Sequence, residues 1–160
     1  MADFKIKYGA LADLGMNLGA LADSAAYEST VVDNETDLFV DAFVFAKIKS
    51  HESSVPTGEK ACHFYVYGAL DDAEPTSDGT DGVEGTFTLS DAAHLGYLGS
   101  LYFTAAAQTI EGHPWSVADA FRGAVPAKWG VVIVNKTGAA LDLTDGDHTV
   151  KFRGIHYQTV

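Results

Sequence analysis

The chain has little of what small functional sites are usually built from. It holds one cysteine, Cys62, so no disulfide can form within it. That thiol sits in an alternating apolar stretch, where a free cysteine behaves as a small, inert hydrophobe. No apolar run approaches the roughly 18–20 residues that a membrane-spanning helix needs. The N-terminus, MADFKIKYGALADLG, lacks a secretory hydrophobic core and cleavage site. A soluble protein made in a reducing compartment is the expectation. Basic residues are also scarce. The formal net charge is −12, from 22 Asp and Glu against 10 Lys and Arg. That balance is the opposite of the basic footprint that nucleic acid requires, and it suits anionic lipid no better. Neither nucleic acid nor membrane is expected as a partner.

The deficit of positive charge is uneven. Between Lys60 and Arg122 there is no lysine or arginine, while nine carboxylates fall in that interval. If that segment lies on one side of the fold, the protein is electrostatically two-sided. Such asymmetry suits docking of an acidic surface on a basic partner, or head-to-tail packing of copies.

Catalytic and metal motifs are missing too. There is no GxSxG elbow, no GxGxxG and no P-loop. The six histidines form no HxH or HxxxH pair, and there is no CxxC. His148 and His156 share a strand face but lie too far apart along it to hold one ion. The acidic loop offers Asp78, Asp81 and Glu84 as oxygen ligands for calcium. Their order does not match an EF-hand, and a solvated acidic loop is the expected reading. No catalytic residue, no metal site and no cofactor is assigned, and an enzyme is not expected.

What is present is β-structure. At 160 residues with 47% hydrophobic content, the chain suits one domain with a core of its own. Residues 1–24 read as an N-terminal arm or edge segment, with Phe4, Ile6 and Tyr8 alternating as a half-buried strand. Further strands are expected over 26–32, 38–49, 61–70, 87–89, 95–103, 129–134 and 148–160, with 105–110 as an edge. One short helix is expected at 116–122, with Ser116 as its N-cap and Gly123 as its stop. The most strongly written strand lies in Val125–Leu141, where Val131 to Val134 are β-branched in succession and call for cover on both faces. Within it Pro126, Trp129, Gly130, Asn135 and Gly138 read as structural residues. The pattern predicts an all-β, jelly-roll-like antiparallel sandwich of about eight strands, with an immunoglobulin-like sandwich as the alternative.

Several strings also carry a resemblance. They are Val32-Asp33-Asn34-x-Thr36-x-Leu38-x-x-Asp41, YVYGALDD at 65–72, PWSVADAF at 114–121, PxxWGVVIVNKTGAAL at 126–141 and GxH at 146–148. Together they resemble a family of small virion structural proteins of tailed bacteriophages, similar in outline to capsid decoration, or cement, proteins. The resemblance implies a head decoration protein that binds and stabilises the capsid lattice. Its implied partners are the major capsid protein or other virion proteins, and copies of itself in a homo-oligomer. It implies a place in the virion after synthesis in the host cytoplasm, and it brings no catalytic residues. Contacts would then come from exposed aromatics, with Tyr65, Tyr67, Tyr97, Trp115 and Tyr157 as candidates and core packing as the alternative for each. A second reading is a jelly-roll receptor- or carbohydrate-binding protein on the virion surface or tail. Exposed aromatics lining a concave groove would favour it.

Overall fold

A computed structural model describes residues 3–69 and 79–159. In chain order the strands are β1 (Phe4–Asp13), β2 (Ala26–Glu28), β3 (Val32–Asp33), β4 (Asp41–Lys49), β5 (Ala61–Ala69) and β6 (Gly85–Phe87). They continue as β7 (Gly96–Tyr102), β8 (Thr109–Glu111), β9 (Trp115–Ser116), β10 (Lys128–Lys136) and β11 (Thr149–Thr159). The helix expected at 116–122 is present as the four-residue α2 (Val117–Ala120), and a second four-residue helix, α1 (Asn34–Asp37), adds to it.

The strands form two antiparallel sheets. The first runs β1-β11-β4-β8, with β9 also on β4; the second runs β6-β2-β10-β5-β7, with β3 also on β10. Among the eight principal strands the first pairs with the last, β1 with β11. The second pairs with the seventh (β2–β10), the third with the sixth (β4–β8) and the fourth with the fifth (β5–β7). This is one long antiparallel hairpin rolled up on itself, the jelly roll. An immunoglobulin-like sandwich would instead keep sequential strands side by side in one sheet.

β10 is central, and every residue from Lys128 to Asn135 is buried. Trp129, Val131 and Ile133 face the inter-sheet core, where the Trp129 ring meets Phe152 edge-on at 5.3 Å. Val132 and Val134 face outward, into a second small core with Ala26, Tyr67 and Leu95. Cover on both faces is what the β-branched run demands. Each such buried side chain contributes about 1.5–3 kcal/mol of hydrophobic stabilisation. Cys62, on β10's neighbour β5, is fully buried, and burial pushes its thiol up to about 12.

The turn after β10 is held by Asn135, whose amide uses all of its bonding capacity. Its Nδ2 donates to the Leu21 and Ala139 carbonyls at 2.9 and 2.8 Å. Its Oδ1 accepts from the Thr137 N–H and hydroxyl at 3.0 and 2.8 Å. Gly138 then takes a left-handed φ of 79° against Thr57. Pro126 packs over Gly68, leaving no room there for a β-carbon.

Two strand boundaries differ from expectation for local reasons. The 38–49 strand begins only at Asp41, because Asp33 caps α1 by accepting from the Glu35 and Thr36 N–H groups. Leu38 closes that helix at φ 53° and is exposed. The 26–32 strand is split at Ser29, whose hydroxyl accepts from the Val131 N–H at 2.9 Å in place of a ladder bond. Asp41 accepts from the Ser116 hydroxyl and the Ala118 N–H, tying α2 to β4. Ser116 caps α2 as expected, accepting from the Asp119 N–H at 3.0 Å.

Candidate functional site

β1 inverts the expectation for the N-terminus. Phe4, Ile6, Tyr8 and Leu11 are exposed rather than half-buried, Phe4 by 70%. The cause is register. β11 pairs with β4 only as far as Ile155, opposite Asp41. Beyond it, residues 156–159 pair only with β1, among the described residues. The two strands therefore run on as a two-stranded ribbon past the edge of the sandwich. Ile6 sits opposite Tyr157, which is 65% exposed. A register shift between Tyr8 and Leu11 keeps Leu11 on the same outer face. Of the stretch read as an arm or edge segment over 1–24, Phe4–Asp13 form an edge strand. Leu14, Leu18 and Leu21 are buried in the main core.

Beside the ribbon, the outer face of the same sheet carries a groove of about 330 Å³ whose lining includes Leu11, Phe45, Lys47, Lys151 and Arg153, with Glu111 as its one carboxylate. No carboxylate of the described residues lies within 4.0 Å of these three cations. Strands β1, β4 and β11 hold six of the ten basic residues. Asp81, Glu84 and Asp91, by contrast, lie in the segment that borders the other sheet, while Glu111 falls on β8 of the first. The charge asymmetry is real but incomplete.

The outer face of the second sheet carries a different arrangement. β7 pairs with β5 through a register shift, with Gly99 opposite Phe64 but Tyr97 opposite Tyr65. Without that bulge Tyr97 and Ser100, three residues apart, would point to opposite faces. With it both point outward, and the Tyr97 hydroxyl lies 2.7 Å from Ser100 Oγ. Ser100 Oγ is 2.6 Å from His63 Nδ1, and His63 Nε2 is 2.9 Å from Glu59 Oε2. In the neutral imidazole, Nε2–H donates to the Glu59 carboxylate, and Nδ1 accepts from Ser100. Ser100 then accepts from Tyr97. The Tyr97 ring also meets Tyr65 edge-on at 5.5 Å. Burial, with Tyr97 and Glu59 nearby, holds the Tyr65 hydroxyl above its ordinary value. Glu59, His63, Tyr65 and Tyr97 line a groove of about 580 Å³, together with Val134, Lys136 and others.

The five aromatic candidates therefore separate. Tyr97 and Tyr157 are exposed, and Tyr65 is half-buried beneath Tyr97. Tyr67 and Trp115 are core residues, 2% and 7% exposed, and this corrects their candidacy as contacts. Tyr67 covers Gly130 on one sheet face, and Trp115 packs against Phe64 inside the sandwich, with the rings tilted by 32° and their centroids 4.8 Å apart.

Of the calcium candidates, Asp78 lies outside the described residues. Asp81 Oδ1 accepts from the Val83 N–H at 2.9 Å, while Glu84 Oε1 accepts from the Tyr27 hydroxyl at 2.7 Å. The two carboxylates are engaged on different partners. Among the described residues no cluster of three or more His, Cys, Asp or Glu is placed to hold a metal ion. The more unusual carboxylate is Glu28, which sequence reading passed over. It is buried on the outer face of β2, where the Asp81 and Gly82 N–H groups reach it at 3.3 Å. Burial pushes its carboxyl up to about 7, against the pull of those two N–H groups.

No protein-family profile matches the sequence, and no curated protein matches it.

Proposed function

We propose that the protein is a structural component of a tailed-phage virion, a head decoration protein that docks on the capsid lattice through the β1–β11 ribbon. The observation that carries this reading is the exposed apolar face formed by Phe4, Ile6, Tyr8, Leu11 and Tyr157. A contiguous apolar surface of this kind marks an interaction site, and an isolated two-stranded ribbon is marginal in water without cover. The outer edge of β1 also offers ten residues of backbone that no described strand pairs. The jelly roll is a fold of capsid domains, although fold alone does not assign a function.

Charge supports the same orientation. A net charge of −12 keeps copies of the chain soluble and apart, while the docking side holds most of the cations. The complementary surface on the shell, formed by the major capsid protein or another virion protein, would be apolar with an acidic rim. Tyr8 and Tyr157 are the anchors, since tyrosines in the centre of an interface contribute most. Lys151 and Arg153 set the approach and its salt dependence.

The test uses capsids stripped of this protein and re-decorated with purified chain. Ile6→Asp and Tyr157→Asp should abolish decoration while leaving the melting temperature unchanged, because both side chains are solvated in the free protein. Decoration by these variants at wild-type level would rule the ribbon out as the docking surface.

A further inference from the structure

We infer that the groove over β5 and β7 is a saccharide site that takes a short, neutral oligosaccharide. The inference does not depend on the virion reading, since the groove lies on the sheet opposite the ribbon.

Three observations carry it. The first is a fixed aromatic platform. Tyr97 is 56% exposed, yet its hydroxyl is bonded to Ser100 and its ring is set edge-on against Tyr65. A ring held this way at a surface presents a flat apolar face with little rotamer freedom left to lose on binding. The apolar C–H face of a pyranose stacks on such a surface. The second is a pair of oriented polar groups. Glu59 Oε2 is held by His63, which leaves the other oxygen free to accept from sugar hydroxyls. Lys136, whose Nζ lies 3.4 Å from the Ser24 hydroxyl on the same groove wall, supplies donors. The two charges offset each other, so the groove favours neither anionic nor cationic ligands. The third is size. About 580 Å³ falls within the usual range for small-ligand sites. Tyr102, two residues beyond Ser100 on the same outer face, is 62% exposed and offers a second ring for a longer chain.

The bulge in β7 gives the arrangement its cause. It places Tyr97 and Ser100 on one face at the cost of a regular ladder, and such bulges commonly re-aim side chains at sites. Ser100, His63 and Glu59 are bonded in the order nucleophile, base and orienting carboxylate. Ser100 Oγ is also engaged by the Tyr97 hydroxyl, and Ser100 and His63 lie opposite each other in the β5–β7 register. Binding through the exposed ring and the oriented polar groups is the role inferred from this geometry.

The experiment is a glycan microarray probed with the intact protein, followed by NMR titration with maltose, lactose and N,N′-diacetylchitobiose. At least one oligosaccharide should bind and shift the amide signals of Tyr97, His63 and Lys136. Tyr97→Ala, a surface change, should weaken binding roughly tenfold, while Tyr97→Phe should keep most of it. No binding on the array or in the titrations would overturn the inference, as would affinity unchanged in Tyr97→Ala. Covalent capture of Ser100 by a fluorophosphonate probe would replace it with a nucleophilic serine. Tyr97→Ala leaves the ribbon intact, so failure here is separate from any failure of capsid docking.

Discussion

Tyr67 lies over Gly130, with its hydroxyl and ring where a β-carbon on that residue would be. The hydroxyl donates to the Ser29 carbonyl at 2.9 Å, so the ring cannot swing aside without breaking a buried bond. Gly130→Ala should therefore destabilise the protein by about 1–3 kcal/mol through overpacking. The penalty should shrink in a Tyr67→Phe background, where the nearest clashing atom is gone. Urea denaturation of the four variants in this cycle measures both effects.

Trp129 fills the core between the sheets, and its indole N–H has no acceptor among the described residues. Trp129→Ala should cost about 3–5 kcal/mol, most of it from lost packing. Trp129→Phe should cost distinctly less, because it keeps the edge-on contact with Phe152 and removes the unpaired donor. Chemical denaturation of both variants orders the two terms.

Glu28 makes stability depend on pH. Its carboxyl is raised from 4.5 to about 7 in the fold, so the folded chain holds this proton more tightly than the unfolded chain does. The neutral form is thus the stable one. Stability from this group is full below about pH 4.5 and declines as pH rises towards 7, by up to about 1.4 kcal/mol per pH unit. Glu28→Gln should remove that slope and be more stable than wild type at pH 8. Unfolding midpoints at pH 5 and pH 8 decide it; equal slopes in the two proteins would place the proton elsewhere.

Much of the scaffold was legible in the sequence. The β-branched run at 131–134 announced a strand covered on both faces, and Ser116 announced its helix by the spacing to Asp119. The alternation of Phe4, Ile6 and Tyr8 marked a strand, but period alone does not say whether an apolar face meets a core or open water. That depends on where β4 stops pairing with β11, which is a property of the whole sheet. The groove was illegible for a similar reason. Tyr97 and Ser100 share a face only through a bulge, and no residue pattern announces one. Glu59, His63 and Ser100 meet only because β5 lies beside β7. Trp115 and Tyr67 looked like contact residues because aromatic type suits both an interface and a core.

The proposed structural role in a phage virion is tested most directly by quantitative mass spectrometry of purified phage particles, with this chain sought among their proteins. Abundance comparable with that of the major capsid protein is expected for a decoration protein. Its absence from intact particles would contradict that role outright.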